Sequence, residues 1–162
     1  MRKQIITSLI ILVSLNLSCT PQQKTEKPEN NLNNFQKKHK IDKIELKEQT
    51  RGTNRIITFN PGSISTSLNE NITKSELLSS DWENIVKQVN LIDLSKISTY
   101  KAPTTGRYSD RALASTIIIT SDGKTYQSSS FDAGIPPKEL EGLYNLLQSK
   151  TGGMKKSKPK FR

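Results

Sequence analysis

The sequence predicts one α+β domain over residues 41–150, built from an antiparallel sheet of about five strands with two helices packed on one face. Asp122-Gly123 joins two runs that are rich in β-branched and aromatic residues, as in a β-hairpin with a type I′ turn. Two further segments, one on each side of this hairpin, repeat apolar residues at i, i+3, i+4 and i+7, which is the spacing of one helical face. Strands that pair through short turns, together with separate amphipathic helices, are typical of the α+β class.

The first part of the domain predicts an antiparallel meander of three strands. Ile44 and Leu46 alternate with charged residues, as in a half-buried strand. Residues 55–59 and 64–68 form two more strand-like runs. Asn60-Pro61-Gly62 between them is a turn cluster, so we expect these two runs to pair.

Two hydroxyl residues precede glutamates at the spacing of a helix capping box, Thr73 before Glu76 and Ser80 before Glu83. Both pairs therefore predict helix starts. The second pair overlaps an apolar helical face made of Trp82, Ile85, Val86 and Val89. We expect a helix over 81–90, anchored on the sheet by Trp82.

The hairpin around Asp122-Gly123 predicts a register for its two strands. Counting outward from the turn, Ala114 lies opposite Phe131. Because side chains alternate along a strand, this register places Phe131 on the same face as Ile118 and on the opposite face from Ile117.

A second helix is expected after Pro136-Pro137, because proline fits the first turn of a helix. Glu139 near its start and Lys150 near its end match the helix dipole. Its apolar face consists of Leu140, Leu143, Tyr144 and Leu147.

Residues 1–18 have the layout of a bacterial secretory signal, with a basic start, a mostly apolar run and a small residue before Cys19. Leu17-Ser18-Cys19 resembles the lipobox of bacterial lipoproteins, which implies a lipid on Cys19 and attachment to a membrane of the cell envelope, on the periplasmic or surface face of the outer membrane. Asn16 departs from the Leu, Val or Ile usual at that position, and an ordinary cleaved signal is the alternative. Residues 19–40 are polar and predict a flexible tether.

The positive charge is concentrated near the carboxyl end. The chain has a formal net charge of +10, whereas residues 49–149 hold ten Lys/Arg and ten Asp/Glu. Residues 151–162 predict a basic, disordered tail that could attract anionic lipid or lipopolysaccharide. The alternative is a solvated tail with no partner. An envelope location argues against nucleic acid as a partner.

The composition disfavours several classes of chemistry. His39 is the only histidine and lies in the tether, so no His-based catalytic set is available on the domain. The single cysteine, Cys19, cannot form an internal disulfide, and no zinc-ligand spacing is present. We therefore predict no catalytic residue, no metal site and no cofactor.

Four charged residues are candidates for ligand binding: Arg107, Asp110, Arg111 and Asp132. Around Arg107 and Asp110, an ion pair that braces the loop is one interpretation and anion binding is the other. Asp132 precedes a bend, where it could bind a ligand cation or accept hydrogen bonds from nearby backbone N–H groups. The serines at 128–130 are expected to be structural.

The stretch from Trp82 to Leu147 resembles a group of uncharacterised bacterial lipoproteins and secreted domains. The residues that carry the resemblance are Trp82, Pro103, Thr104, Arg107, Asp110, Gly123, Lys124, Tyr126, Ser128, Phe131, Asp132, Gly134, Pro136 and Pro137. It covers less than half of the chain and implies a small α+β domain without an assigned activity.

These observations predict a non-enzymatic, membrane-anchored lipoprotein whose domain binds a protein or another component of the envelope. The alternative is a hydrolase or carbohydrate-active domain that uses Asp110 and Asp132 with Arg107 or Arg111.

Overall fold

The computed structural model describes residues 40–151. The predicted signal peptide, Cys19, the tether up to residue 39 and the tail from residue 152 lie outside the described residues. The described residues fall within one compact unit.

Seven antiparallel strands form one sheet. They are β1 (Ile41–Gln49), β2 (Asn54–Asn60), β3 (Ser63–Leu68), β4 (Asn71–Glu76), β5 (Ala114–Ser121), β6 (Lys124–Gln127) and β7 (Phe131–Asp132). Their order is β4-β3-β2-β1-β5-β6, and β7 also pairs with β5. The α+β class and the antiparallel sheet are confirmed, but the predicted number of about five strands is too low.

Two α-helices lie among three short 3₁₀ helices. The α-helices are α1 (Ser79–Val89) and α2 (Glu141–Lys150), and the 3₁₀ helices are Leu94–Thr99, Gly106–Ser109 and Lys138–Leu140. Both predicted helices are confirmed. The capping box at Ser80 is not formed, because α1 begins after Leu78 and has no side-chain cap.

One apolar cluster holds the sheet and the helices together. Alternate residues of the central strands are fully buried in it, among them Ile44, Leu46, Ile57, Phe59, Ile117 and Ile119. Helix α1 contributes Ile85 and Val89, with Trp82 partly buried against the cluster, and α2 contributes Leu143, Tyr144 and Leu147. The helical faces predicted from apolar spacing are therefore the ones that pack.

Two of the three two-residue turns of the described sheet follow the rule for type I′ hairpins, and Pro61-Gly62 does not, because only Gly62 has a positive φ there. Asp122 and Gly123 both have positive φ, at 50° and 72°, as predicted for that turn. Asn69 and Glu70 form an equivalent turn between β3 and β4, with φ of 46° and 74°. That turn and β4 were not predicted, and the capping-box interpretation of Thr73 and Glu76 is wrong because both residues lie in a strand.

The predicted register of the β5 hairpin is wrong at its far end. Ser115 lies opposite Phe131, which therefore joins Ile117 in the core instead of facing away from it. The cause is local. The Ser128 hydroxyl oxygen accepts a hydrogen bond from the Ile117 N–H (3.0 Å), and the chain gains one residue between β6 and β7 relative to β5.

None of the helices in the described part of the chain is long and apolar enough to cross a membrane.

Candidate functional site

Asp132 fixes the loop that precedes β5. Its side chain is 4% exposed and accepts four hydrogen bonds. Oδ2 accepts from the Thr104 hydroxyl (2.7 Å) and the Gly106 N–H (2.6 Å), while Oδ1 accepts from the Arg107 N–H (2.9 Å) and from Arg107 Nη1 (3.1 Å). One carboxylate on β7 therefore holds the segment 104–107 in place.

These contacts keep Asp132 ionised. Burial alone would raise the pKa of its carboxyl group, but the hydrogen bonds from Thr104, Arg107 and Gly106 outweigh burial and lower the pKa to about 2. An acid with so low a pKa carries no proton to donate near neutral pH. The group is suited to holding donors in place and not to general acid catalysis.

Arg107 is equally enclosed, with 7% of its side chain exposed. Nη1 also donates to the Thr104 carbonyl (2.5 Å), and Nη2 donates to the Tyr108 hydroxyl (2.9 Å). The guanidinium carbon lies 4.3 Å from the centre of the Tyr108 ring, within the range of a cation–π contact. Arg107 and Asp132, two of the four candidates, thus form one buried ion pair.

The other two candidates lie elsewhere. Asp110 has a left-handed backbone (φ 56°) at the end of the short helix Gly106–Ser109, and its carboxylate pairs with exposed Arg51 at 3.5 Å. Arg111 is exposed. The structure therefore brings Asp132 and Arg107 together, while Asp110 pairs on the surface.

A second buried polar cluster was missed by the sequence analysis. Glu48 and Arg55 form an ion pair on the inner face of the sheet, where their side chains are 2% and 10% exposed. Glu48 Oε1 also accepts from Gln148 Nε2 (2.7 Å) and the Tyr144 hydroxyl (3.2 Å). The sequence did contain a signal for the burial of Glu48. Side chains alternate between the two faces of a strand, so Glu48 lies on the same face of β1 as Ile44 and Leu46.

Tyr144 links this cluster to the bend after β7. Its hydroxyl accepts a hydrogen bond from the Gly134 N–H (2.7 Å), and its ring packs edge-on against Phe131 at 5.4 Å. Burial, followed by the charge of Glu48, raises the pKa of Tyr144. The hydroxyl therefore stays protonated over the physiological range and can donate to Glu48 while it accepts from Gly134.

Ser128 and Ser129, which were expected to be structural, form hydrogen bonds within the fold. Ser128 bonds to Ile117 and to the carbonyl of Ser129 (2.9 Å). The Ser129 hydroxyl donates to the Ser98 carbonyl and fastens this segment to the 3₁₀ helix 94–99. Within residues 40–151 no cluster of three or more metal-ligating side chains occurs.

A surface groove of about 560 Å³ lies beside the Asp132 cluster. One wall is the loop 99–103 and the other is the bend and helix start at 134–141. Its lining combines apolar and aromatic side chains with four charged groups: Thr99, Tyr100, Lys101, Pro103, Gly134, Ile135, Pro136, Lys138, Glu139 and Glu141. Ile135 is 46% exposed.

The buried clusters hold both walls of this groove. Thr104 follows Pro103 of the first wall, and its hydroxyl donates to Asp132. Asp132 lies at the end of β7, the strand that leads into the second wall. Tyr144 holds Gly134 of the second wall, whose φ of 84° makes the bend. The two polar clusters thus fix the shape of the groove without lining it.

Comparison with protein-family models finds no match, and neither the curated proteins nor the solved structures give a significant match to this chain.

Proposed function

We propose that this protein is a non-enzymatic lipoprotein of the cell envelope, anchored through a lipid on Cys19, whose domain binds a segment of another envelope protein in the groove between residues 99–103 and 134–141. The resemblance to uncharacterised bacterial lipoproteins and the signal-like residues 1–18 support the location. The composition of the groove supports the binding role.

The groove has the features of a peptide-binding surface. Among its apolar lining residues, Pro103 and Ile135 are exposed, and Tyr100 and Pro136 are half-buried. The two prolines and the aromatic ring have few free torsions, so binding a partner there orders little at low entropic cost. The groove is also lined by Lys101, Lys138, Glu139 and Glu141, and none of them forms an ion pair within residues 40–151. A partner segment can therefore satisfy charges of both signs.

The observation that carries the proposal is the use of the charged candidates as internal supports. Asp132 and Arg107 are buried against each other and against the backbone, and the hydrogen bonds of the carboxylate and of both terminal nitrogens of Arg107 go to groups of the fold. Arg107 Nε is buried without a partner among the described residues. A groove whose walls are held by such internal contacts favours recognition of a partner with little change of backbone shape.

Site-specific photocrosslinking in intact envelopes tests the binding role. A photoreactive residue at Ile135 lies in the groove, and one at Leu91, which is 65% exposed on another surface, is the matched control. We expect a discrete protein adduct from position 135 and none from position 91. Identical adducts from both positions, or adducts with lipid alone, would overturn the assignment of the groove.

The anchor is tested separately with Cys19→Ser. We expect this variant to lose incorporation of radiolabelled palmitate and to leave the membrane fraction, because the sulfur that carries the lipid is replaced by a hydroxyl oxygen. Unchanged labelling would refute lipidation at Cys19.

A further inference from the structure

Strand β4 (Asn71–Glu76) is an open edge of the sheet. It is the last strand on its side, and all six of its residues are exposed. The opposite edge is different, because β6 lies against the 3₁₀ helix 94–99 and Ser129 bonds to Ser98 there. Among the described residues, nothing covers β4 in this way.

The hydrogen-bond phase of the β3–β4 hairpin shows which backbone groups face outward. A two-residue turn makes the flanking residues Leu68 and Asn71 a hydrogen-bonded pair, and such pairs then alternate along the ladder. The bond from the Leu77 N–H to the Gly62 carbonyl (3.2 Å) fits the same phase. The N–H and C=O groups of Ile72, Lys74 and Glu76 therefore point away from β3.

The same three residues share one face of the strand. Ile64 is buried in the core and pairs with Ser75, so Ser75 belongs to the helix-covered side of the sheet and its neighbours Lys74 and Glu76 to the other side. Ile72 is 65% exposed there. Neither Lys74 nor Glu76 forms an ion pair within residues 40–151.

We infer that β4 is a second docking surface, which binds an extended segment of another protein as an added antiparallel strand. Backbone hydrogen bonds to Ile72, Lys74 and Glu76 provide the attachment, as in other cases of strand addition. The exposed side chains specify the segment: a basic residue opposite Glu76, an acidic residue opposite Lys74 and a β-branched residue opposite Ile72. From its amino end the segment therefore reads basic, any, acidic, any, β-branched.

A second copy of this chain does not meet these requirements. Antiparallel pairing of two β4 strands centred on Lys74 places Lys74 opposite itself, and like charges opposed across strands are unfavourable. Pairing centred on Thr73 places Ile72 opposite Lys74. Pairing centred on Ser75 matches Lys74 with Glu76, but it leaves Ile72 opposite Leu78, whose carbonyl already accepts from the first N–H groups of helix α1. A different extended chain can pair with all three outward-facing residues, so the edge favours it over a second copy.

Titration of the full chain in detergent with two synthetic peptides tests this inference. The first peptide, TKTETVT, has the specified order, and the second, TETKTVT, exchanges its two charges. We expect the first to bind at least about fivefold more tightly, since two cross-strand charge pairs change sign between them. Methylation of the backbone nitrogens at its Lys, Glu and Val should abolish binding.

Charge reversal at Lys74 should reverse which charge is preferred opposite this residue and so bring the affinities for the two peptides closer together. Lys74→Glu is expected to weaken binding of the first peptide and to improve binding of the second. Lys87→Glu, an equal change of charge on an exposed position of α1, should alter neither affinity. Equal affinities of the wild-type protein for both peptides, insensitivity to Lys74→Glu, or a concentration-dependent dimer that competes with the peptide would overturn the inference. Since β4 and β7 lie toward opposite edges of the sheet, a failed groove crosslink leaves this test intact.

Discussion

Replacing Asp132 with Asn separates the charge of this side chain from its size. Asp132→Asn leaves Arg107 buried without its counter-charge and places amide hydrogens or a single oxygen where four donors converge. Breaking a buried ion pair from one side typically costs about 3–5 kcal/mol, and we expect a loss of that order in the free energy of unfolding. Urea denaturation followed by circular dichroism measures it.

Asp110→Asn is the matched control for that substitution. Its carboxylate is 57% exposed and pairs with a 92% exposed Arg51. Exposed pairs contribute less than about 1 kcal/mol, so this variant should unfold near the wild-type midpoint. Equal destabilisation by the two Asp→Asn changes would contradict the structural role assigned to Asp132.

The low pKa of Asp132 also predicts how stability depends on pH. The pKa of its carboxyl group is about 2 in the folded protein and 3.8 as an ordinary value, so the unfolded chain binds a proton first as the pH falls. The stabilisation from Asp132 is complete above about pH 4 and is lost as the pH falls from there to about 2. We expect the stability of Asp132→Asn to fall less steeply over this window in urea titrations. An equal slope would mean that Asp132 has an ordinary pKa in the folded state.

Glu48 and Arg55 provide a test of pairing inside the core. Glu48→Gln leaves the guanidinium of Arg55 enclosed without an acid, and we expect a loss of about 3–5 kcal/mol. Adding Arg55→Met removes the orphaned charge and should recover part of this loss. The difference between single and double variants, measured by denaturation, gives the coupling between the two side chains. A double variant no better than the sum of its singles would show that they act independently.

At the scale of elements, two glycines distinguish a rigid neighbour from a movable one. A Cβ at Gly106 would lie 2.9 Å from Asp132 Oδ2, which four hydrogen bonds hold in place. A Cβ at Gly142 would lie 2.6 Å from Gln88 Oε1, the end of a side chain that can turn aside. We expect Gly106→Ala to cost about 1–3 kcal/mol and Gly142→Ala to cost little or to gain up to about 1 kcal/mol of helix propensity. Thermal unfolding of both variants checks this, and a larger loss at Gly142 would contradict it.

Elements with a clear apolar period could be predicted, and elements without one could not. Helix α2 was found because its residues Leu143, Tyr144 and Leu147 repeat at helical spacing with Leu140, which ends the preceding 3₁₀ helix, and all four are buried. Strand β4 has one large apolar residue, Ile72, and is exposed on both faces, so no alternation marks it as a strand. Its strand conformation depends on pairing with β3. The capping-box spacing of Thr73 and Glu76 predicted the start of a helix instead.

The candidate site could also be predicted only in part, because its residues come from separate segments of the chain. Asp132 and Arg107 were identified as candidates, but their contact depends on how a loop 25 residues earlier returns to β7. The groove has no local signal, because its walls come from separate segments. The one-residue shift at Ser128 depends on a side-chain oxygen accepting a backbone bond, which strand periodicity does not reveal.

At the scale of the whole molecule, a neutral domain lies between two basic segments. Residues 49–149 carry equal numbers of acidic and basic residues, whereas Lys155, Lys156, Lys158, Lys160 and Arg162 carry no acidic neighbour in residues 150–162. Residues 20–40 hold five Lys and two Glu, a smaller excess. Electrostatic attraction of the protein to an anionic membrane surface should therefore depend mainly on the tail, with a smaller part from residues 20–40. The domain alone should show no preference for anionic lipid.

Vesicle sedimentation tests this division of roles with the chain beginning at Thr20, which lacks Cys19. We expect this chain to bind vesicles that contain anionic lipid and to bind neutral vesicles weakly. Each tail cation replaced with Gln should weaken binding by roughly fivefold, because a basic residue near an anionic surface contributes about 1 kcal/mol. Replacing Lys74, Lys87 and Lys101 with Gln, which removes three cations from the domain, should have a much smaller effect per residue.

High salt should abolish the difference between binding to anionic and to neutral vesicles, since the Debye length shrinks to about 3 Å at 1 M. Equal binding by the same chain ending at Thr151 would show that the membrane affinity lies in residues 20–151 and not in the tail.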